Sequence, residues 1–167
     1  RYAVLKHNGP IAIRYPKGKG TALLAQMREP ICFHEGIRLC TGNDISIIAV
    51  GKMVETSLRI ATALKNKGIH ADVINARFVK PLDEELIIAS VMRTKKAVTI
   101  EDHSIVSGLG SSALQMLNRH GLKTDIKMFG FPDRFIEQGK QNKLLTLYKL
   151  DADSLIREIT AFLRTNK

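Results

Sequence analysis

Three short segments of the chain carry side chains suited to binding anions or to moving protons. They are Arg14-Tyr15, Arg77 and Glu101-Asp102-His103, and each follows a run of apolar residues. The planar guanidinium of an arginine donates forked hydrogen bonds that match phosphate or carboxylate. Two carboxylates beside an imidazole are a set that general acid–base catalysis uses. These residues are therefore the first candidates for a functional site.

Each candidate also has a plainer interpretation. Arg77 could pair with a nearby acid or hold a loop carbonyl, and Arg14 could be an ordinary exposed residue at a strand end. Spacing alone leaves open whether Arg14 and Arg77 reach one ligand. Adjacent residues usually point in different directions, and no nucleophile accompanies Glu101-Asp102-His103. We therefore favour a role for these three residues in shaping a loop or an interface.

A glycine-rich segment, Ser107-Gly108-Leu109-Gly110-Ser111-Ser112, is typical of a turn that opens a helix. Free amides at a helix start can hold an anion, but this segment is neither a P-loop nor a complete GxGxxG motif. We favour a tight strand-to-helix turn. Cys32 and Cys40 lack the CxxC spacing of zinc and redox sites, so no metal ligands are assigned.

Composition bounds the class of protein. The chain has 167 residues, of which 44% are hydrophobic and 25% charged, as in an ordinary globular domain. The net charge is +10, but the cations are dispersed, aromatics make up 5% and tryptophan is absent, which argues against nucleic-acid binding. No apolar run approaches the roughly 20 residues of a membrane span. The two cysteines form no disulfide framework, which favours a cytoplasmic location. The start at Arg1, without methionine or signal peptide, predicts a fragment of a longer protein.

The apolar periodicity predicts strands that alternate with helices. Such alternation specifies a parallel sheet with helices on both faces, and ligands gather at the carboxyl ends of its strands. All three candidate segments lie at predicted carboxyl ends. The predicted strands are 10–16, 45–50, 69–75, 97–100 and 125–129, and the predicted helices are 54–64, 83–92, 111–117, 141–148 and 153–163, the last capped by Asp151 or Asp153. Residues 21–43 are predicted to be a linker that allows a short helix or an edge hairpin.

Four segments together resemble one family. They are Gly9–Gly18 with its Arg-Tyr-Pro-Lys-Gly string, Asn75–Asp83 with Arg-Phe-Val-Lys-Pro-Leu-Asp, Ile100–His103, and Gly130–Gly139. In this order they resemble the C-terminal part of the 1-deoxy-D-xylulose-5-phosphate synthases, thiamine-diphosphate enzymes of the transketolase superfamily. The chain departs from the family at Ser107–Gly110, where Gly-Gly-x-Gly is usual, and at Ile136–Gly139, where Ile-Pro-Gln-Gly is common.

The resemblance implies an α/β fold, a three-layer sandwich with a five-stranded, mostly parallel sheet. It implies that residues 1–20 are the tail of a pyrimidine-binding domain, 21–43 a linker and 44–167 a transketolase C-terminal domain. The family enzyme condenses pyruvate with glyceraldehyde 3-phosphate for isoprenoid biosynthesis. In the family, arginines at the positions of Arg14 and Arg77 bind the acceptor phosphate, and Tyr15 adjoins the first of them.

The segments that hold thiamine diphosphate and Mg²⁺ in the family have no counterpart in this sequence, so the resemblance implies a fragment that binds neither and is inactive alone. It also implies missing N-terminal domains and a homodimer as partners. Two alternatives stay open: the same domain of a transketolase or of a 2-oxoacid dehydrogenase β subunit, and a stand-alone regulatory ligand-binding module.

Overall fold

The computed structural model describes residues 5–10 and 30–165, and this part of the chain forms five strands and five helices. The strands are β1 (Ile37–Cys40), β2 (Ile45–Ala49), β3 (Ala71–Asn75), β4 (Lys96–Ser104) and β5 (Asp125–Phe131). The helices are α1 (Met53–Lys65), α2 (Glu84–Thr94), α3 (Leu109–Arg119), α4 (Gln141–Leu147) and α5 (Ala152–Arg164).

The strands form one sheet in the order β1-β3-β2-β4-β5. Neighbouring strands are parallel, except that β1 pairs with β3 in the antiparallel direction. All five residues of the central strand β2 are buried, as expected for a strand covered on both faces. The predicted α/β fold with a five-stranded, mostly parallel sheet is confirmed.

Two apolar cores lie on opposite faces of this sheet. Strand residues alternate between the faces, so Ile47 belongs to one core and Ile48 to the other. The first core contains buried residues of α1 and α5, and the second contains buried residues of α2 and α3. The helices therefore cover both faces and form the predicted three layers.

Two aspartates fix where helices begin. The Asp83 carboxylate accepts a hydrogen bond from the Leu86 amide at 3.0 Å, which caps α2, and another from the Gly36 amide at 2.9 Å. Asp151, rather than Asp153, caps α5, because its carboxylate accepts from the Ser154 amide at 3.1 Å. A side-chain cap replaces a hydrogen bond that the first helical turn cannot make for itself.

Two element boundaries differ from the sequence prediction. Strand β1 lies within residues 21–43, so the sheet includes residues of the predicted linker. It is an edge strand that pairs with the distant β3, whereas the sequence predicts a short helix or an edge hairpin there. Strand β4 continues past Ile100 to Ser104, so Glu101-Asp102-His103 lie within a strand. The domain limits at 20 and 43 stay predictions, and the predicted strand 10–16 lies, apart from Pro10, outside the described residues. None of the described helices has the length and apolarity to cross a membrane.

Candidate functional site

The carboxyl ends of the parallel strands meet along one edge of the sheet. The register pairs Ala49 with Asn75 and with Ile100, and Ile100 with Phe129. The residues that follow these positions must therefore lie side by side, at the spacing of about 4.8 Å that separates strands. We call this boundary, formed by the residues that follow β2, β3, β4 and β5, the carboxyl edge.

Arg77 lies at the carboxyl edge in an unusual backbone conformation. Its φ of 56° is in the left-handed region, which a non-glycine residue rarely adopts. The turn is held by two hydrogen bonds, from the Arg77 amide to Asn75 Oδ1 at 3.0 Å and from the Phe78 amide to the Ala76 carbonyl at 2.5 Å. The half-buried Arg77 side chain is thus placed by a fixed turn.

The segment before β1 adjoins Arg77. The rings of Phe33 and Phe78 meet edge to face, with centroids 5.7 Å apart. The pKa of the exposed Cys32 thiol is raised, mainly by a hydrogen bond with Glu35 and by the charge of that carboxylate, while the Arg77 guanidinium opposes this increase. Because a raised pKa disfavours the nucleophilic thiolate, Cys32 is a poor candidate for catalysis.

Arg14 and Tyr15, the other predicted site residues, lie outside the described residues. Whether Arg14 converges with Arg77 stays a prediction.

Glu101 has a role that the sequence analysis missed. Its side chain is fully buried, and its two oxygens accept hydrogen bonds from the Leu109 amide at 2.7 Å and the Gly110 amide at 3.0 Å. These amides belong to the first turn of α3, where backbone N–H groups have no partner within the helix. A carboxylate at this position also interacts favourably with the helix dipole. Glu101 therefore joins β4 to the start of α3.

Two glycines make room for this carboxylate. A Cβ atom on Gly108 would lie 2.1 Å from Glu101 Oε2, and a Cβ on Gly130 would lie 3.1 Å from Glu101 Cγ. The glycine-rich turn is thus needed for close packing around Glu101. Its amides at Leu109 and Gly110 already bind an internal carboxylate, so the alternative of an external anion held there is not supported.

His103 is oriented by Glu101. Its Nε2 lies 3.0 Å from Glu101 Oε2, and its Nδ1 lies 3.0 Å from the carbonyl oxygen of Ser104. Both ring nitrogens are therefore engaged within the protein and neither is directed at a ligand as a proton donor or acceptor. For Glu101 and His103 this geometry favours the predicted role in shaping a loop over acid–base catalysis.

A cleft of about 570 Å³ opens at the carboxyl edge between the end of β4 and the segment from the end of β5 into α4. Its polar lining includes Lys52, Asp102, His103 and Arg134, and its apolar lining includes Phe131. Arg77 does not line it. The volume lies within the range of small-molecule sites, roughly 300–1,000 Å³.

A second buried carboxylate lies away from the carboxyl edge. Asp72 in β3 is fully buried and lies 2.6 Å from Arg93 Nη2 and 3.2 Å from Arg38 Nε. It also accepts a hydrogen bond from the Ser90 hydroxyl at 2.5 Å. These contacts connect β1, β3 and α2, and a buried charge with such partners is typical of a structural network. Within residues 5–10 and 30–165, no group of three or more His, Cys, Asp or Glu side chains could hold a metal ion.

Comparison with known proteins gives this edge its context. Residues 34–155 match the family described as "Transketolase, C-terminal domain". The chain belongs to the transketolase C-terminal domain family. The match includes all five strands and the cleft, so the carboxyl edge described above is a feature of a transketolase C-terminal domain.

Relatives of this transketolase C-terminal domain include synthases from two bacteria. The chain is 40% identical over 157 residues to the 1-deoxy-D-xylulose-5-phosphate synthase of Halothermothrix orenii, and 42% identical over 161 residues to 1-deoxy-D-xylulose-5-phosphate synthase 1 of Geobacter sulfurreducens. These matches include 93% and 95% of the chain but 25% of each relative. The chain therefore spans about a quarter of the length of the curated relatives it matches. The resemblance to this synthase family is confirmed.

Solved structures support the same fold. A structure described as a split gene transketolase, inactive beta4 tetramer, aligns with a TM-score of 0.74 at 30% identity, covering 80% of this chain and 44% of the other. A transketolase variant of Pichia stipitis aligns with a TM-score of 0.56, covering 80% of this chain and 18% of the other. At 18% identity, the second likeness concerns the fold alone.

Proposed function

We propose that this transketolase C-terminal domain belongs to a 1-deoxy-D-xylulose-5-phosphate synthase and recognises the phosphate of the acceptor, glyceraldehyde 3-phosphate. The observation that carries the proposal is the position of Arg77. Arg77 directly follows a parallel strand, on a turn held by Asn75, and the carboxyl ends of parallel strands are where α/β sheets commonly bind ligands, which supports the proposal. Arg14 and Tyr15 are proposed to complete the phosphate site.

In this proposal the chain binds and orients, and the chemistry is supplied elsewhere. Thiamine diphosphate, when bound by the parent enzyme together with Mg²⁺, supplies the carbanion chemistry of pyruvate decarboxylation. The described residues do not fit that group: they include no cluster of metal-ligating side chains, and Glu101 occupies the amides of the glycine-rich turn. We therefore derive no catalytic step through it and propose that this chain alone is inactive.

The relatives support further domains and self-association in the proposed assembly. The synthases are about four times as long as the region that matches, which supports further domains of the parent as partners. The split gene transketolase is described as an inactive tetramer, which supports inactivity without other segments and self-association. We propose a homodimeric, cytoplasmic transferase as the parent.

A transketolase parent is the second candidate, favoured by the structural match at a TM-score of 0.74. The identity of 30% to that split gene transketolase is lower than the 40% and 42% to the two synthases. We therefore place the synthase first.

A chimeric enzyme tests the function. The matching quarter of the Halothermothrix orenii synthase is replaced by this chain, and formation of 1-deoxy-D-xylulose 5-phosphate is measured. We expect Arg77→Ala in the chimera to raise the KM for glyceraldehyde 3-phosphate about 30-fold, equivalent to about 2 kcal/mol, because one charge-assisted contact to phosphate is lost. The KM for pyruvate should stay unchanged.

The matched control is Arg59→Ala. Arg59 is an exposed arginine of α1 that pairs with Glu55 at 3.1 Å, and its loss should leave both constants unchanged. An Arg77→Ala chimera with the original KM for the acceptor would contradict the phosphate role. A folded chimera that forms no product would contradict the assignment to this synthase.

A further inference from the structure

The cleft at the carboxyl edge combines two cations with an apolar floor. Lys52 comes from the turn before α1, and Arg134 comes from the segment that joins β5 to α4. Phe131, Ile136 and Leu144 supply apolar surface between them. A concave apolar surface with a few polar groups is typical of a small-molecule site.

Arg134 is held in position by an aromatic pair. Its guanidinium lies 5.5 Å from the centre of the Tyr148 ring, and Nη2 donates to the Tyr148 hydroxyl at 3.3 Å. That hydroxyl donates in turn to Glu137 at 2.5 Å. The Tyr148 ring packs edge to face on Phe131, with centroids 5.2 Å apart. These contacts connect the exposed Arg134 guanidinium to the apolar floor of the cleft.

Lys52 is fixed at the start of α4. Its ammonium donates to Gln141 Oε1 at 2.7 Å, and Gln141 is the first residue of that helix. Asp102 also lines the cleft, while the ring nitrogens of His103 are engaged by Glu101 and Ser104. The carboxylates of Asp102 and, through the Tyr148 hydroxyl, of Glu137 thus accompany two permanent cations. A ligand with two negative charges competes for them better than one with a single charge, because Coulomb attraction grows with charge.

We propose that this cleft is a second anion site, for a small organic phosphate whose phosphate contacts Lys52 and Arg134 and whose apolar body lies against Phe131 and Leu144. The arginine fork and the lysine point charge are the usual partners of a phosphate dianion. Since Arg77 is not part of the cleft lining, the proposal does not rest on the acceptor-phosphate role of Arg77.

Three probes separate the parts of this proposal. The purified 167-residue chain is titrated by calorimetry at low ionic strength with phenyl phosphate, with inorganic phosphate and with phenol. We expect saturable 1:1 binding of phenyl phosphate, binding of inorganic phosphate about tenfold weaker, and no measurable heat from phenol. The apolar ring accounts for the tighter binding of phenyl phosphate than of inorganic phosphate. The phosphate charge accounts for the difference between phenyl phosphate and phenol.

Charge-removing variants locate the site. Arg134→Gln and Lys52→Gln should each weaken phenyl phosphate binding about tenfold. The control is Lys123→Gln, an exposed lysine before the amino end of β5, at the opposite edge of the sheet, which should bind like the wild type. The same titrations are repeated with Arg77→Gln, which removes the proposed acceptor site, so that binding that remains in this variant is assigned to the cleft.

The proposal is overturned if phenyl phosphate does not saturate, or if Lys123→Gln weakens binding as much as Arg134→Gln, since that result indicates attraction to the overall positive charge. If circular dichroism shows that a variant does not fold, an NMR titration of the wild-type chain is used instead to locate the site. In that measurement, phenyl phosphate should shift the amide signals of residues 133–139 and of Lys52. Shifts confined to other regions would equally overturn the proposal.

Discussion

Replacing Glu101 by glutamine changes one atom of a buried side chain and should still destabilise the chain strongly. The two carboxylate oxygens accept from two different amides, of Leu109 and Gly110. A glutamine amide has one oxygen to accept with, so its NH₂ group must face the Gly110 amide in one orientation, or the Leu109 amide and His103 in the other. One donor at the start of α3 is then buried without a partner.

The magnitude follows from these contacts. A hydrogen bond to a charged acceptor contributes about 1.5–3 kcal/mol, and leaving a buried donor unpaired costs about 1–3 kcal/mol. His103 Nε2, 3.0 Å from Glu101 Oε2, also loses its carboxylate partner. We expect a decrease of about 3 kcal/mol in the free energy of unfolding. With a urea m-value of about 2 kcal/mol/M, the midpoint should fall by about 1.5 M.

Urea unfolding followed by far-UV circular dichroism measures this change. Glu55→Gln is the matched control, because Glu55 makes a surface pair with Arg59 one helical turn away, and such pairs contribute about 0.5 kcal/mol or less. Hydrogen exchange gives a second measurement, in which the amides of Leu109 and Gly110 should lose protection in Glu101→Gln. A loss of stability below about 1 kcal/mol with unchanged protection of both amides would refute the assigned role of Glu101.

Two further predictions concern the starts of helices. Gly108→Ala should lower the free energy of unfolding by about 2 kcal/mol in urea titrations, because the alanine Cβ would lie 2.1 Å from Glu101 Oε2 and the buried carboxylate would have to shift. A variant as stable as the wild type would contradict this packing. Asp151→Ala should cost about 1 kcal/mol at pH 7 through loss of the α5 cap, measured by thermal unfolding. Burial raises the pKa of Asp151, but hydrogen bonds from Ser154 outweigh this effect and hold the pKa below its ordinary value of 3.8. The Asp151 carboxylate therefore stabilises the fold above about pH 4, and this contribution is lost as the pH falls below the folded-state pKa. The advantage of the wild type over Asp151→Ala should therefore shrink below pH 4, and a constant difference down to pH 2 would contradict the charge contribution.

Apolar periodicity was sufficient to predict most of the sheet. The segment 45–50 is almost continuously apolar, which identifies a strand buried on both faces, and glycine after α1 marks the end of that helix. Asp83 follows Pro81, and this pairing correctly predicted the start of α2. These features depend on local patterns, which a sequence displays directly.

The edge strand β1 was harder to predict. Its four residues, Ile37–Cys40, are all half-buried, and Arg38 points to the buried Asp72 of β3 rather than to solvent. A short edge strand that alternates poorly carries a weak periodic signal. Its existence depends on pairing with β3, which lies more than 30 residues later in the chain.

The candidate site was predicted in part. The position of Arg77 at the end of β3 followed from the sequence, whereas Glu101 was grouped with Asp102 and His103 as a possible acid–base set. The sequence does contain a pattern that could have indicated this role. Glu101 ends an apolar strand and lies eight residues before a helix that opens with glycine, as expected of a carboxylate that caps this helix. The cleft could not be predicted, because Lys52 and Arg134 come to line one cleft only through the order of the strands.

The internal carboxylate at α3 has a consequence for selectivity. Glu101 is covalently tethered beside the amides it binds, so it competes with any dissolved anion at an effective concentration of roughly millimolar or above. Free phosphate or a nucleotide would have to displace this resident group and leave a negative charge stranded in the protein interior. The helix start that most resembles a nucleotide cradle is thereby insulated from solutes, and the proposed recognition of phosphates depends on side chains at the rim of the sheet.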